Sequence, residues 1–161
     1  MTGRILQINV KPRTPGSHGL PKTPVDSVMV TKHGLEGDFN VYRHEELNDD
    51  PDSAVLLVPT ETLQEFNSEG WAVKPGDIGE NFTTAGIRYA EFAPGRGFDL
   101  GGARVQISRA CEPCDNLFLL PYVGRENGPR FLKVMLGRRG WYARVLKEGG
   151  VRAGDQISPS D

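Results

Sequence analysis

Basic excess, long apolar runs and cysteine are what this sequence has least of. Lys plus Arg number 19 against 21 Asp plus Glu, a formal charge of −2. Sequence-independent affinity for nucleic acid comes from a cationic surface, so this balance argues against a nucleic-acid binder. The longest apolar runs, such as Ala54 to Val58, fall far short of the roughly 18 residues that a membrane-spanning helix needs. Met1 to Val10 alternates instead of forming the apolar centre of a secretion signal, so the expectation is a cytoplasmic protein with no membrane partner. Two cysteines in 161 residues cannot build a disulfide scaffold. With 37% hydrophobic and 25% charged residues the chain is not a disordered tail. Its length matches one domain, residues 1–161, able to hide about 70% of its unfolded surface in a core.

Glycine and proline are abundant, at 20 and 12 residues. Combined with intact apolar segments, this reads as many turns between short strands. Leu6, Ile8 and Val10 alternate as a strand does, and Val28 and Val30 repeat the pattern. Ser53 to Val58, Val73 to Thr84, Ile87 to Phe92, Ala103 to Ser108, Trp141 to Leu146 and Gln156 to Ser158 also read as strands. Lys11 to Pro24 and the acidic His33 to Asp52 read as loops. A helix is expected over Thr60 to Glu69, with Thr60 as its cap, Leu63 and Phe66 on one face and Gly70 as its stop. A second is expected over Arg130 to Leu136. Val73-Lys-Pro-Gly76-Asp77-Ile78 echoes Val151-Arg-Ala-Gly154-Asp155-Gln-Ile157, which suggests one Gly-Asp turn used twice. The sum is a mainly β fold with a few short helices, closed or nearly closed into a barrel.

Chemistry concentrates in three places. Arg109-Ala-Cys111-Glu-Pro-Cys114-Asp-Asn116 follows a strand, and Pro113 suits the first turn of a short helix. Cys114 would then lie at a helix start, where backbone donors and the nearby Arg109 favour a thiolate. Three other readings stay open for the pair. One is zinc joined by His18, His33 or His44; another is a thioredoxin-type dithiol, which expects a βαβ unit; the third is inert packing. Gly76 to Thr84 carries glycines, Glu80, Asn81 and hydroxyls that suit either an anion or an ordinary turn fixed by Asp77. Arg138-Arg139-Gly140-Trp141-Tyr142-Ala-Arg144 can hold a phosphate, or simply end a helix with favourable cations. His44 lies in a polar loop and is either catalytic or a surface residue.

In order, these pieces resemble the MOSC domain, named for the C-terminal domain of molybdenum cofactor sulfurases, over about Ile5 to Ile157. The resemblance is carried by Gly34-Leu35-Glu36-Gly37-Asp38, His44, Pro75 to Phe82, Gly101, Ala103 to Ile107, Pro113-Cys114 and Gly140 to Val145 through Gly154-Asp155. It implies a MOSC-type β-barrel, in a family that includes free-standing bacterial members. The family's characteristic cysteine matches Cys114. In relatives that reduce N-hydroxylated compounds, this residue is a protein ligand of molybdenum in the pterin cofactor. In sulfurases the domain handles sulfur or the cofactor, and the family is also associated with pyridoxal phosphate binding. Where the family often follows its histidine with Gly-Gly, His44 here runs into Glu45-Glu46. The extra Cys111 makes a disulfide with Cys114 conceivable.

The resemblance therefore implies a molybdenum-pterin cofactor-binding protein, as a reductase of N-hydroxylated small molecules. Cys114 would be the catalytic residue and metal ligand, and Asn81, Arg109, Arg139 and Arg144 would hold the cofactor. Electrons would come from a separate electron-transfer protein. The alternative is a sulfur carrier or sulfurtransferase with a persulfide on Cys114, charged by a sulfur donor.

Overall fold

The computed structural model describes residues 1–17 and 19–160; His18 lies outside the described residues. The strands are β1 (Gly3–Val10), β2 (Thr23–Val25), β3 (Ser27–Thr31), β4 (Gly34–Leu35), β5 (Val55–Pro59), β6 (Phe82–Ala85), β7 (Gly97–Leu100), β8 (Ala103–Ala110), β9 (Trp141–Lys147), β10 (Gly149–Arg152) and β11 (Gln156–Ser160). The α-helices are α1 (Val41–Glu46), α2 (Thr60–Ser68) and α3 (Gly124–Met135). Seven strands close on themselves in the order β1-β6-β5-β9-β8-β7-β11, because β11 also pairs with β1 through Gly3↔Ile157. Closure removes the exposed edges that an open sheet would carry. β2 flanks β1 outside the ring, and β10-β3-β4 form a separate three-stranded sheet.

The barrel interior holds Ile5, Ile8, Val55, Leu57, Phe82, Phe92, Phe98, Val105, Ile107 and their neighbours. Every residue of β5 is buried, since both of its faces are covered. Val55 and Leu57 point into the barrel cluster. Val58 joins α2 and α3 in a second cluster with Phe66, Trp71 and Phe131, and Leu56 packs on Cys111 and Tyr142. β5 therefore connects the barrel core to the cysteine loop.

Several local expectations are corrected. In β1 a register shift between Ile5 and Gln7 turns the alternation over, so Ile5 is fully buried and Leu6 is 38% exposed. The βαβ unit that a thioredoxin-type dithiol expects is present, but without the cysteines: β5 and β6 run parallel, paired at Leu57↔Phe82, with α2 between them. Strand structure in the segment Val73 to Thr84 is confined to its end, and Tyr89–Glu91 is a 3-10 turn. α2 begins at Thr60 with Pro59 at the cap position. α3 starts six residues before the expected helix and carries Pro129 within it. The expected loop His33 to Asp52 contains β4 and α1.

The two Gly-Asp turns are the same structure. Asp77 accepts from Lys74 N at 3.0 Å and Asp155 accepts from Arg152 N at 2.8 Å. Gly76 and Gly154 have φ of 90° and 93°, a region that disfavours any side chain.

Candidate functional site

β8 ends at Ala110, and the chain then leaves the barrel wall. Cys111 N donates to Gly140 O at 2.8 Å, which holds the cysteine loop against the start of β9. Gly140 has φ of 121°, and a Cβ there would meet Leu57 O at 3.0 Å, so only glycine fits. Tyr89 fixes this point from the other side. Its hydroxyl accepts from Gly140 N at 3.0 Å, and its carbonyl accepts from Trp141 Nε1 at 3.1 Å. The residue before Gly140 is thereby placed firmly, and that residue is Arg139.

Arg139 is 6% exposed and donates from Nη2 to Ile78 O. Its Nε and Nη1 have no hydrogen-bond partner among the described residues. It lines a cavity of about 40 Å³ together with Cys111, Cys114, Tyr142, Lys22 and Asn116. Both cysteines are free thiols, Cys111 buried and Cys114 partly buried. Among the described residues no group of three or more His, Cys, Asp or Glu could hold a metal ion.

Cys114 stands at the start of a short helix, as expected, but one of 3-10 type, Asp115–Leu119, which it caps. Burial pushes its thiol up, against the lowering influence of the Asn116 N–H and the Arg139 charge. The expectation of a favoured thiolate is thus corrected: desolvation outweighs the local donors.

Of the four residues expected to hold a cofactor, the cavity lining includes only Arg139. Arg109 pairs with Asp50 at 3.1 Å and lies over the ring of Tyr142 at 5.4 Å, so it supports a cavity residue from behind. Arg144 pairs with Asp52 at 2.7 Å and also donates to Gln106. Asn81 is committed to the framework: its Nδ2 donates to Asp38 Oδ2 at 2.8 Å and its Oδ1 accepts from Leu56 N at 3.1 Å. Asp38 in turn holds Lys22 Nζ at 2.6 Å. Asn81 therefore positions a cavity residue through one carboxylate.

Lys22 and Tyr42 line the cavity without having been singled out by the sequence; Tyr142 lines it too, and was named only as part of the arginine-rich motif. Lys22 stands in a proline-rich loop and Tyr42 looks like an ordinary helix residue, so no local signal marked them. Glu80 was visible only as one polar residue of its turn. It is fully buried, accepts from Thr83 Oγ1 at 3.1 Å, and burial pushes its carboxyl up to about 7.

His44 lies in a different depression, a groove of about 430 Å³ that shares Gly19 and Val41 with the cavity. Its Nδ1 faces Asp49 Oδ2 at 2.9 Å, and its ring packs on Phe39. Among the described residues no helix is long and apolar enough to cross a membrane.

The family model described as the MOSC domain matches residues 40–158. A Bacillus subtilis (strain 168) protein, YflK, is 34% identical over 148 residues, 86% of this chain. The chain spans 62% of that relative's length. YiiM from Geobacillus stearothermophilus has a similar structure, with TM-score 0.76 and 29% identity, over 99% of this chain and 75% of that one. The YUAD protein from Bacillus subtilis shares the fold, with TM-score 0.81 over 98% of this chain and 94% of its own, at 18% identity.

Proposed function

The chain belongs to the MOSC domain family, and on that premise we propose that it binds the molybdenum-pterin cofactor at the cavity beside Cys114. The observation that carries this reading is the pairing of a free thiol with a buried guanidinium whose Nε and Nη1 have no partner among the described residues. A thiolate is a soft donor suited to a metal that the cofactor already holds through sulfur. The unpartnered charge of Arg139 suits an anionic group near that metal. The donor set therefore fits. A cavity of about 40 Å³ is too small for a pterin, so the pterin itself would lie outside it; the groove of about 430 Å³ that shares Gly19 and Val41 with it is the neighbouring space.

Cys114 would be the protein ligand, losing its proton on binding. Arg139 would hold negative charge beside it, Lys22 would be kept in place by Asp38, and Tyr142 would close the wall. When bound, the cofactor would supply oxygen-atom transfer, as in a reductase of N-hydroxylated small molecules. Electrons would come from a separate protein. Sulfur carriage on Cys114 is a second reading, and it draws on the second thiol, Cys111, in the same cavity.

Production in a host that makes the cofactor, followed by molybdenum and releasable-pterin analysis, tests the proposal. Both should be retained, and Cys114→Ser should lose the metal while Cys111→Ser keeps most of it. Protein carrying neither, beside a known binder that carries both, would remove the basis for the reading. A sulfur atom added to Cys114 without metal would favour sulfur carriage.

A further inference from the structure

We propose that Cys111 and Cys114 form a reversible oxidation site, in which a small hydroperoxide oxidises Cys114 and Cys111 then closes the disulfide. Both thiols are free, and both line one cavity of about 40 Å³, a space small enough to make their side chains neighbours. Their exposure differs. Cys111 is 6% exposed and packs with Leu56 and Tyr142, whereas Cys114 is partly open. An oxidant from solvent therefore meets Cys114 first, and Cys111 stands behind it. Among the described residues no third His, Cys, Asp or Glu joins the two sulfurs, so the pair is not an ordinary zinc site. Two neighbouring thiols, one open and one sheltered, suit attack by one and resolution by the other.

The segment between the cysteines is able to close. Its ends are fixed: Cys111 N donates to Gly140 O at 2.8 Å, and Cys114 O accepts from Leu117 N at 3.2 Å. Between those ends Glu112 and Cys114 donate no backbone hydrogen bond among the described residues, and Pro113 has no N–H to donate. Drawing the two Cα atoms to the roughly 4.4–6.8 Å that a disulfide spans therefore breaks no described backbone hydrogen bond of this segment.

A water molecule needs at least about 10–15 Å³ of such space, so a cavity of about 40 Å³ has room for hydrogen peroxide beside the sulfur. The Cys114 sulfur, giving up its proton, attacks one peroxide oxygen. The O–O bond breaks, the other oxygen takes the proton and leaves as water or an alcohol, and Cys114 becomes a sulfenic acid. Cys111 attacks that sulfur; the S–S bond forms, the S–O bond breaks and water leaves. In sum the two thiols lose two electrons, which the peroxide gains. A dithiol reductant restores both thiols by exchange. A disulfide leaves Cys114 no thiolate to offer a metal, so on the cofactor reading, and resting on it, oxidation closes the site to molybdenum.

The test uses the whole chain made without cofactor, reduced, treated with hydrogen peroxide, alkylated in denaturant and weighed by mass spectrometry. The expected product is a monomer lighter by two hydrogen atoms, with neither cysteine alkylated, and dithiothreitol should restore both thiols. In Cys111→Ser, Cys114 should stop at a sulfenic acid that dimedone traps, and excess peroxide should carry it on to a sulfinic acid. In Cys114→Ser, Cys111 should be oxidised at least about fivefold more slowly than Cys114 is in Cys111→Ser. Should either variant fail to fold, the wild-type product still decides. No disulfide, or one formed only between chains, overturns the site, and equal rates in the two variants overturn the order of attack. Oxidised and reduced chains are then mixed with molybdenum-pterin cofactor released from a known binder. Retention by the reduced chain alone supports closure, and equal retention by both overturns it. Retention by neither overturns the cofactor reading and the closure with it, while the disulfide result stands.

Discussion

Arg138 and Arg139 are adjacent in the chain and have opposite surroundings. Arg138 donates to both carboxylate oxygens of Glu69, at 2.8 and 2.9 Å, and to the carbonyl of Val134 near the end of α3. It serves α3 as a cation at a helix C-terminus does. Arg139 is turned inward by the left-handed backbone at Gly140, donates to Ile78 O and keeps two buried nitrogens without a partner among the described residues.

Cofactor retention should divide these arginines. Arg139→Gln should lose most of the molybdenum and pterin. Arg138→Gln and Arg144→Gln should retain both, since Arg138 is tied to Glu69 and Arg144 to Asp52, away from the cavity lining. Metal content of the three variants checks this, and equal losses in Arg139→Gln and Arg144→Gln would place the charge requirement elsewhere.

Glu80 should make stability depend on pH. Its carboxyl is raised from 4.5 to about 7 by burial; the neighbouring Arg139 charge and the Thr83 hydroxyl oppose the shift, and Lys22 and Tyr122 also face it. Between those two values the folded chain keeps a proton that the unfolded chain has lost. This contribution to stability is therefore full below about 4.5 and falls away as pH rises through about 7. Glu80→Gln removes the titration while its amide oxygen can still accept from Thr83. Relative to wild type, the variant should gain about 3 kcal/mol in urea unfolding between pH 4.5 and pH 8. A constant difference across that range would show that Glu80 does not titrate there.

The twin Gly-Asp turns should respond differently to alanine. At Gly154 nothing lies within 4 Å of a built Cβ, so only backbone strain is added, about 1–2 kcal/mol. At Gly76 the Cβ would stand 2.5 Å from Lys22 O, a backbone atom that cannot yield without moving the cavity wall. Gly76→Ala should cost about 3 kcal/mol or more and also reduce cofactor retention. Chemical denaturation of both variants, with metal analysis of the folded fraction, checks the pair.

The barrel was legible because β8 alternates cleanly: Ala103, Val105 and Ile107 are buried and Arg104 is exposed. The inward face of α2 was legible for the same reason, through Leu63 and Phe66. The failures share a cause. In β1 a bulge exchanged Leu6 for Ile5, and an inserted residue leaves no periodic mark. The sequence could not rank Arg139 against Arg144, because that depends on which way the chain turns at Gly140. Nor could it join Asp38 to Asn81, which are 43 residues apart. The thiol of Cys114 was read from Pro113 and Arg109 nearby, whereas its environment is set by α1, the turn at Ile78 and Arg139.

Alkylation of Cys114 across a pH series tests that reversal most directly. Burial holds the thiol above the ordinary cysteine value, while the Asn116 N–H and the Arg139 charge pull it down. The rate with iodoacetamide, which follows the thiolate fraction, should therefore rise at a higher pH than for a free cysteine peptide. Removing the charge with Arg139→Gln should move the profile further up. Charge-conserving Arg139→Lys should move it less, which separates an electrostatic role from simple packing. Asn116→Ala should have little influence, since the donor is its backbone N–H. A wild-type midpoint below that of the free peptide would mean that the local donors outweigh burial, and that Cys114 carries more thiolate than a free cysteine before any metal arrives.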